Sequence, residues 1–215
     1  MEPVHIITGR AVPLDRSDVD TDQIIPSQWL KRIERTGFGA GLFAEWRDDP
    51  AFVLNDPDHA GATILVAGAN FGTGSSREHA VWALVDFGFR VVVSPRFGDI
   101  FRNNATRSGL VPAEVSDDDG RTILEAVVAN PSLEIVVDVE RRLLEAPAAG
   151  ISIPFRLDDD ARDRLLRGLD DIDVTAQYAP QIDAYEARRP TWLPTVVTWT
   201  KSSAAFDRAP PSMLK

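Results

Sequence analysis

The sequence has 215 residues, 44% of them hydrophobic and 26% charged, which is enough for one domain with a full core and is the composition of an ordinary globular protein. Lysine and arginine number 23 against 33 acidic residues, and the net charge of −10 argues against a general nucleic-acid binder and against attachment to an anionic membrane surface. Cysteine is absent, which excludes disulfides, thiol catalysis and thiolate ligation of an iron–sulfur cluster by this chain.

The first residues, Met1-Glu2-Pro3-Val4-His5-Ile6-Ile7, place no basic segment ahead of a long apolar one. No apolar run approaches the roughly 18 residues of a membrane span, so a cytoplasmic chain without a signal peptide is expected. His5 to Val12 reads as a strand that ends in a turn at Pro13. Asp20-Thr21-Asp22 follows, ahead of Ile24-Ile25-Pro26. Its two carboxylates suit a helix cap or a metal site, and without a third ligand nearby a role in orienting a neighbouring group is preferred.

Between Ser27 and Trp46, the apolar Trp29, Leu30 and Ile33 are interspersed with Lys31, Arg32 and Arg35, and Gly37, Gly39 and Gly41 punctuate Phe38, Leu42 and Phe43. Two readings fit: a mobile lid that still carries apolar matter to bury, which is preferred, or a short helix and turn packed on the core. His5 and His59 have no metal-ligand partner at a useful spacing and read as solvated or structural.

The most informative stretch is Ala67 to Ala80. Thr63-Ile64-Leu65-Val66-Ala67 is a short branched apolar run, the mark of a buried strand. Ala80, Val81, Ala83, Leu84 and Phe87 recur at helical spacing, and Gly88 supplies a stop. Between them, Gly72 and Gly74 allow a tight loop, and Ser75-Ser76-Arg77-Glu78 matches a capping box with Ser75 as N-cap. Free N–H groups at such a helix start favour an anion, and Arg77 adds a bidentate fork for a carboxylate or phosphate. A bare cap is the alternative for that tetrapeptide. A Walker loop needs a lysine before the serine, and a Rossmann fingerprint needs a glycine where Arg77 stands, so a nucleotide is disfavoured. His79, in the first turns of this helix, is expected to hydrogen-bond within the chain.

Arg90 to Pro95 is a second buried strand, so residues 63–93 form a strand-helix-strand unit with parallel pairing. A helix on Phe97, Ile100, Phe101 and Ala105 comes next, then a strand from Leu110 to Val115. Asp117-Asp118-Asp119 marks the start of a helix built on Ile123, Leu124, Ala126 and Val127. Leu133 to Val139 and Ile151 to Phe155 read as strands paired with each other, and Ala161 to Arg167 and Pro180 to Arg188 as helices. The expected architecture is α/β, one domain over 1–190 with a mixed or parallel central sheet flanked by helices. The tail 191–215 either lies on a partner or is partly disordered.

Asn70-Phe71-Gly72-Thr73-Gly74-Ser75-Ser76-Arg77-Glu78-His79-Ala80 resembles the active-site segment of the swivelling C-terminal domain of the aconitase superfamily. Asp20 to Pro26, Phe97 to Asn104 and Gly109-Leu110-Val111-Pro112 agree with it in order and spacing. A free-standing chain of this length is similar to the small subunits of the isopropylmalate dehydratases. The resemblance implies a β/β/α swivel domain and a lyase that moves a hydroxyl between neighbouring carbons by dehydration and rehydration, in leucine biosynthesis. It assigns the base to Ser75, substrate carboxylates to Ser76 and Arg77, and the rim of the site to Thr21 and Asp22. It assigns the substrate-specificity loop to Trp29, Leu30, Arg32, Ile33, Arg35, Phe38 and Leu42. Gly72 and Gly74 would offer loop N–H groups to an oxyanion. The chain itself would bind no metal; a [4Fe–4S] cluster would come from a large-subunit partner, and the substrate would be a small dicarboxylic hydroxy acid. A sister hydro-lyase acting on homoaconitate or on methylmalate and citraconate, and a non-catalytic anion-binding module, are the alternatives.

Overall fold

The computed structural model describes residues 1–31, 36–190 and 192–193. The chain divides into a unit spanning Met1–Thr175 and a second spanning Ala176–Lys215. The first is built on a seven-stranded sheet in the order β4-β3-β2-β1-β5-β6-β7. The strands are β1 (Ile6–Leu14), β2 (Ile64–Ala67), β3 (Val91–Ser94), β4 (Val111–Glu114), β5 (Glu134–Asp138), β6 (Leu143–Ala146) and β7 (Ile151–Pro154). Strands β1 to β4 are mutually parallel, whereas β5, β6 and β7 continue antiparallel from the other side of β1. The sheet is therefore mixed, one of the two arrangements, mixed or parallel, expected from the sequence.

The α-helices among the described residues are α1 (Thr21–Ile24), α2 (Ala44–Arg47), α3 (Glu78–Phe87), α4 (Asp99–Arg107), α5 (Asp117–Ala129), α6 (Asp159–Arg167), α7 (Asp171–Ala176) and, within the second unit, α8 (Ala179–Glu186). Every residue of β2 and β3 is buried, because alternate side chains enter cores on opposite faces. Leu65, Ala67 and Val92 pack with Ala80, Val81 and Leu84 of α3 and Phe101 of α4. Ile64, Val66, Val91 and Val93 pack on the other face with Ile123 and Val127 of α5 and Leu165 of α6. The side chain of Ser116 caps α5, accepting from Asp119 N–H at 3.1 Å, and three aspartates occupy its first turn, as their charge at a helix start requires.

Four expectations are corrected. Strand β1 runs through Pro13 to Leu14: past Arg10 it is paired with β2 alone, and a proline is tolerated in a strand that has an open side. Strands β5 and β7 are not neighbours, because β6 lies between them. The turn into β6 uses Arg142 at φ +53 instead of a glycine, so it carries no hairpin signature. Phe97 precedes α4 and pairs with Phe71 in a parallel bridge, and Ile100 is exposed.

The lid expectation also fails for the residues described. Phe38, Leu42 and Phe43 are fully buried, in a 3-10 turn (Phe38–Gly41) and the residues leading into α2. Phe38 N–H donates to Asp86 Oδ2 at 3.0 Å, and its ring meets His79 at 5.2 Å and Trp82 at 5.7 Å. A Cβ on Gly39 would lie 2.8 Å from the backbone nitrogen of Phe87, so the turn packs directly on α3. Apolar burial outweighs the freedom of the glycines, which here serve close approach. Arg32, Ile33 and Arg35 lie outside the described residues, as does most of the tail from Thr191.

Candidate active site

Three loops leave the C-terminal ends of β1, β2 and β3 side by side, the position where open α/β sheets bind ligands. The middle loop, 68–77, carries Ser75, Ser76 and Arg77. It is tied to the β1 loop by a run of hydrogen bonds. Gly72 N–H donates to Val19 O at 2.7 Å, Thr21 N–H to Thr73 O at 2.9 Å, and Thr21 Oγ1 to Ser75 O at 2.9 Å. On its other side, Phe71 N–H donates to Arg96 O at 3.0 Å and Gly98 N–H to Phe71 O at 2.9 Å.

These ties change how helix α3 begins. Its N-cap is Arg77, extended at φ −130 and ψ 102, with no side-chain cap, and the helix starts at Glu78. Ser75 is therefore not a cap, and the box expected with Glu78 does not form. The loop turns instead at Gly72 (φ +73) and Gly74 (φ +89), and Thr21 holds the Ser75 carbonyl. Both serines are left exposed, and neither hydroxyl has a hydrogen-bond partner among the described residues. The N–H groups of Gly74, Ser75, Ser76, Arg77 and Glu78 likewise meet no acceptor among the described residues, so a run of donors faces outward at the positive end of α3. Gly72 does not join them, because its N–H is committed to Val19.

The reciprocal capping box occurs elsewhere. Asp20 Oδ1 accepts from Gln23 N–H at 2.8 Å and Gln23 Oε1 accepts from Asp20 N–H at 2.9 Å, so Asp20 starts α1. That frees Asp22 to form an ion pair with Arg77. Thr21 is buried, with 3% of its surface exposed. Helix α1 thus places Thr21 and Asp22 against the Ser75 loop, in contact with the Ser75 carbonyl and with Arg77. Trp29 is half-buried and lies so close to Gly41 that a Cβ there would meet its indole at 2.4 Å, whereas Leu42 and Phe38 are interior.

His79 is held by rings, 4.7 Å from Trp82 between centroids, and the buried His59 Nδ1 lies 3.1 Å from Ala11 O. No group of three His, Cys, Asp or Glu able to hold a metal occurs among the described residues. A cavity of about 610 Å³ lined by Arg96, Glu114, Ser116 and Arg156 among others includes neither the serines, which are exposed, nor Arg77, which is half-buried. Asp18, Asn70 and Arg96, which bond across the three loops, carried no expectation; the signal available was a turn-prone asparagine in the loop after a buried strand.

Comparison with known proteins identifies the family. The aconitase C-terminal domain family matches residues 1–118. The 3-isopropylmalate dehydratase small subunit of Parafrankia sp. (strain EAN1pec) is 63% identical over 195 residues, 91% of this chain and 99% of the relative. That of Streptomyces coelicolor is 55% identical over 92% of this chain and 99% of the relative. The crystal structure of 3-isopropylmalate dehydratase from Methanocaldococcus jannaschii superimposes with a TM-score of 0.63 at 25% identity, covering 84% of this chain and 99% of that one. The chain belongs to the 3-isopropylmalate dehydratase small subunits, within the aconitase C-terminal domain family.

Proposed function

We propose that Ser75, Ser76 and Arg77 form this chain's half of a 3-isopropylmalate dehydratase site, completed by a large subunit. The enzyme interconverts 2- and 3-isopropylmalate through 2-isopropylmaleate in leucine biosynthesis, and the chain works in the cytoplasm. The observation that carries the site assignment is the outward run of donors from Gly74 to Glu78 beside an arginine held by Asp22. An acidic chain needs such a local concentration of donors to receive a dicarboxylate.

Arg77 and Ser76 hold substrate carboxylates, and Asp22 fixes the plane of the guanidinium. Ser75 Oγ takes the proton from the carbon beside a carboxylate and returns it in the opposite direction. Its alkoxide is stabilised by the free N–H groups at the start of α3 and by Arg77. Thr21 sets the direction of Ser75 through its carbonyl. Without cysteine the chain offers no thiolate to an iron–sulfur cluster. A [4Fe–4S] cluster on the large subunit would supply the Lewis acid that helps the hydroxyl leave. The open surface around Ser75 suits a site that a second chain closes.

The test is reconstitution with the large subunit and turnover of 2- and 3-isopropylmalate, with citraconate and homoaconitate as competitors. Ser75→Ala should still pair with the large subunit and lose roughly 10²–10⁴-fold in kcat, the usual contribution of a positioned proton acceptor. Near-normal turnover by that variant, or turnover by the isolated chain, would overturn the assignment.

A further inference from the structure

Asn70 takes no part in the chemistry set out above, yet its side chain bridges the loops on either side of the one that carries Ser75. Its Nδ2 donates to Asp18 Oδ1 at 2.7 Å, and its Oδ1 accepts from Arg96 Nη1 at a longer 3.4 Å. One amide thus touches the loops that leave β1 and β3 from within the loop that leaves β2. Asn70 lies at φ +60 and Asp18 at φ +57, in the left-handed region that asparagine and aspartate tolerate better than most residues with a Cβ. Such conformations persist where the surroundings over-determine them, and they concentrate at functional sites.

The bonds around this pair show what is determined. Asp18 N–H donates to Ala69 O at 2.8 Å, next to the side-chain bond. From there the two loops are zipped outward through Gly72 to Val19 and Thr21 to Thr73, ending where Thr21 Oγ1 meets the Ser75 carbonyl. Asn70 stands at the root of that zipper and Ser75 at its tip. A shift at the root is passed to the serine, because the intervening backbone groups are already paired.

We propose that Asn70 is a positioning residue of the dehydratase site, holding the three loops in register so that Ser75 and Arg77 face one substrate. The inference rests on the roles given to those two residues above. Three variants test it in the complex with the large subunit. Asn70→Gly removes the amide while easing the left-handed backbone. Asn70→Asp sets a carboxylate against Asp18. Asn70→Asp combined with Asp18→Asn puts a donor opposite an acceptor again and keeps an oxygen for Arg96.

Asn70→Asp should lose roughly ten- to hundredfold in kcat, with a smaller change in KM, as expected for displaced reacting groups. Asn70→Gly should lose in the same direction, and the double variant should recover most of the loss. Hydrogen exchange on the isolated chain gives a readout apart from activity: the Thr21 and Gly72 N–H groups should exchange faster in both single variants and return towards wild type in the double variant. Wild-type kcat in Asn70→Gly, or a double variant no better than Asn70→Asp, would overturn the proposal. If the wild-type complex fails to turn over isopropylmalate, the reading of Ser75 and Arg77 falls, and unchanged exchange in the single variants would then separately refute Asn70 as the tie between the loops.

Discussion

Replacing Gly72 by alanine should be among the most damaging small changes in the loop, and its cost can be divided into two parts. At φ +73 a side chain is strained, by about 1–2 kcal/mol for a left-handed residue with a Cβ. The new Cβ would also lie 2.3 Å from Phe101 Cγ. That ring is 2% exposed, meets Phe71 at 5.3 Å and stacks on Phe97 at 6.1 Å, so it cannot swing aside without displacing two others. Overpacking of this kind costs about 1–3 kcal/mol, for a total of roughly 2–5 kcal/mol. At this chain length each kcal/mol lowers Tm by about 2–4 °C, so a fall of about 4–20 °C is expected.

Two controls separate the parts. Gly61 has φ +75 with nothing within 4 Å of a built Cβ, so Gly61→Ala measures strain alone. Gly98 has φ −62, and its Cβ would lie 2.4 Å from Gly72 O, so Gly98→Ala measures overlap alone. Thermal unfolding of the three purified variants, followed by near-ultraviolet circular dichroism, is the assay. If Gly72→Ala falls no further than Gly61→Ala, Phe101 does not confine the loop and the packing argument is wrong.

Other outcomes follow from the same geometry. Asp22→Asn should raise KM severalfold by releasing Arg77, while the unfolding free energy changes by the small amount of a partly exposed ion pair, about 0–1 kcal/mol; an unchanged KM would show that Asp22 does not orient the arginine. Arg77→Lys keeps the charge without the fork, so a large rise in KM is expected in steady-state kinetics, and its absence would remove Arg77 from the site. Phe38→Ala should destabilise the chain by about 3–5 kcal/mol in a denaturant titration, because the ring is fully buried. A negligible cost would restore the lid reading of that segment.

The run of branched residues in β2 and β3 and the helical spacing of α3 were legible because each core face repeats its own period. Strand β6 was not: its turn has no glycine, and Leu143-Leu144-Glu145-Ala146 is too short to show alternation. The glycine-flanked Phe38 has the composition of a lid and the surroundings of a core, and composition does not say what a segment packs against.

By itself the sequence determined the chemical inventory: two serines and an arginine after a glycine loop, acidic residues able to orient the arginine, and no thiol with which to hold a cluster. Tertiary structure alone decided how that inventory is used. The tetrapeptide from Ser75 to Glu78 carries the local preference for a capping box, but Val19, Thr21 and Asp22, more than fifty residues away in sequence, hold Gly72, the Ser75 carbonyl and Arg77 so that the box moves to Asp20 and both hydroxyls stay free. A cap contributes about 1 kcal/mol, and several long-range hydrogen bonds acting together outweigh it.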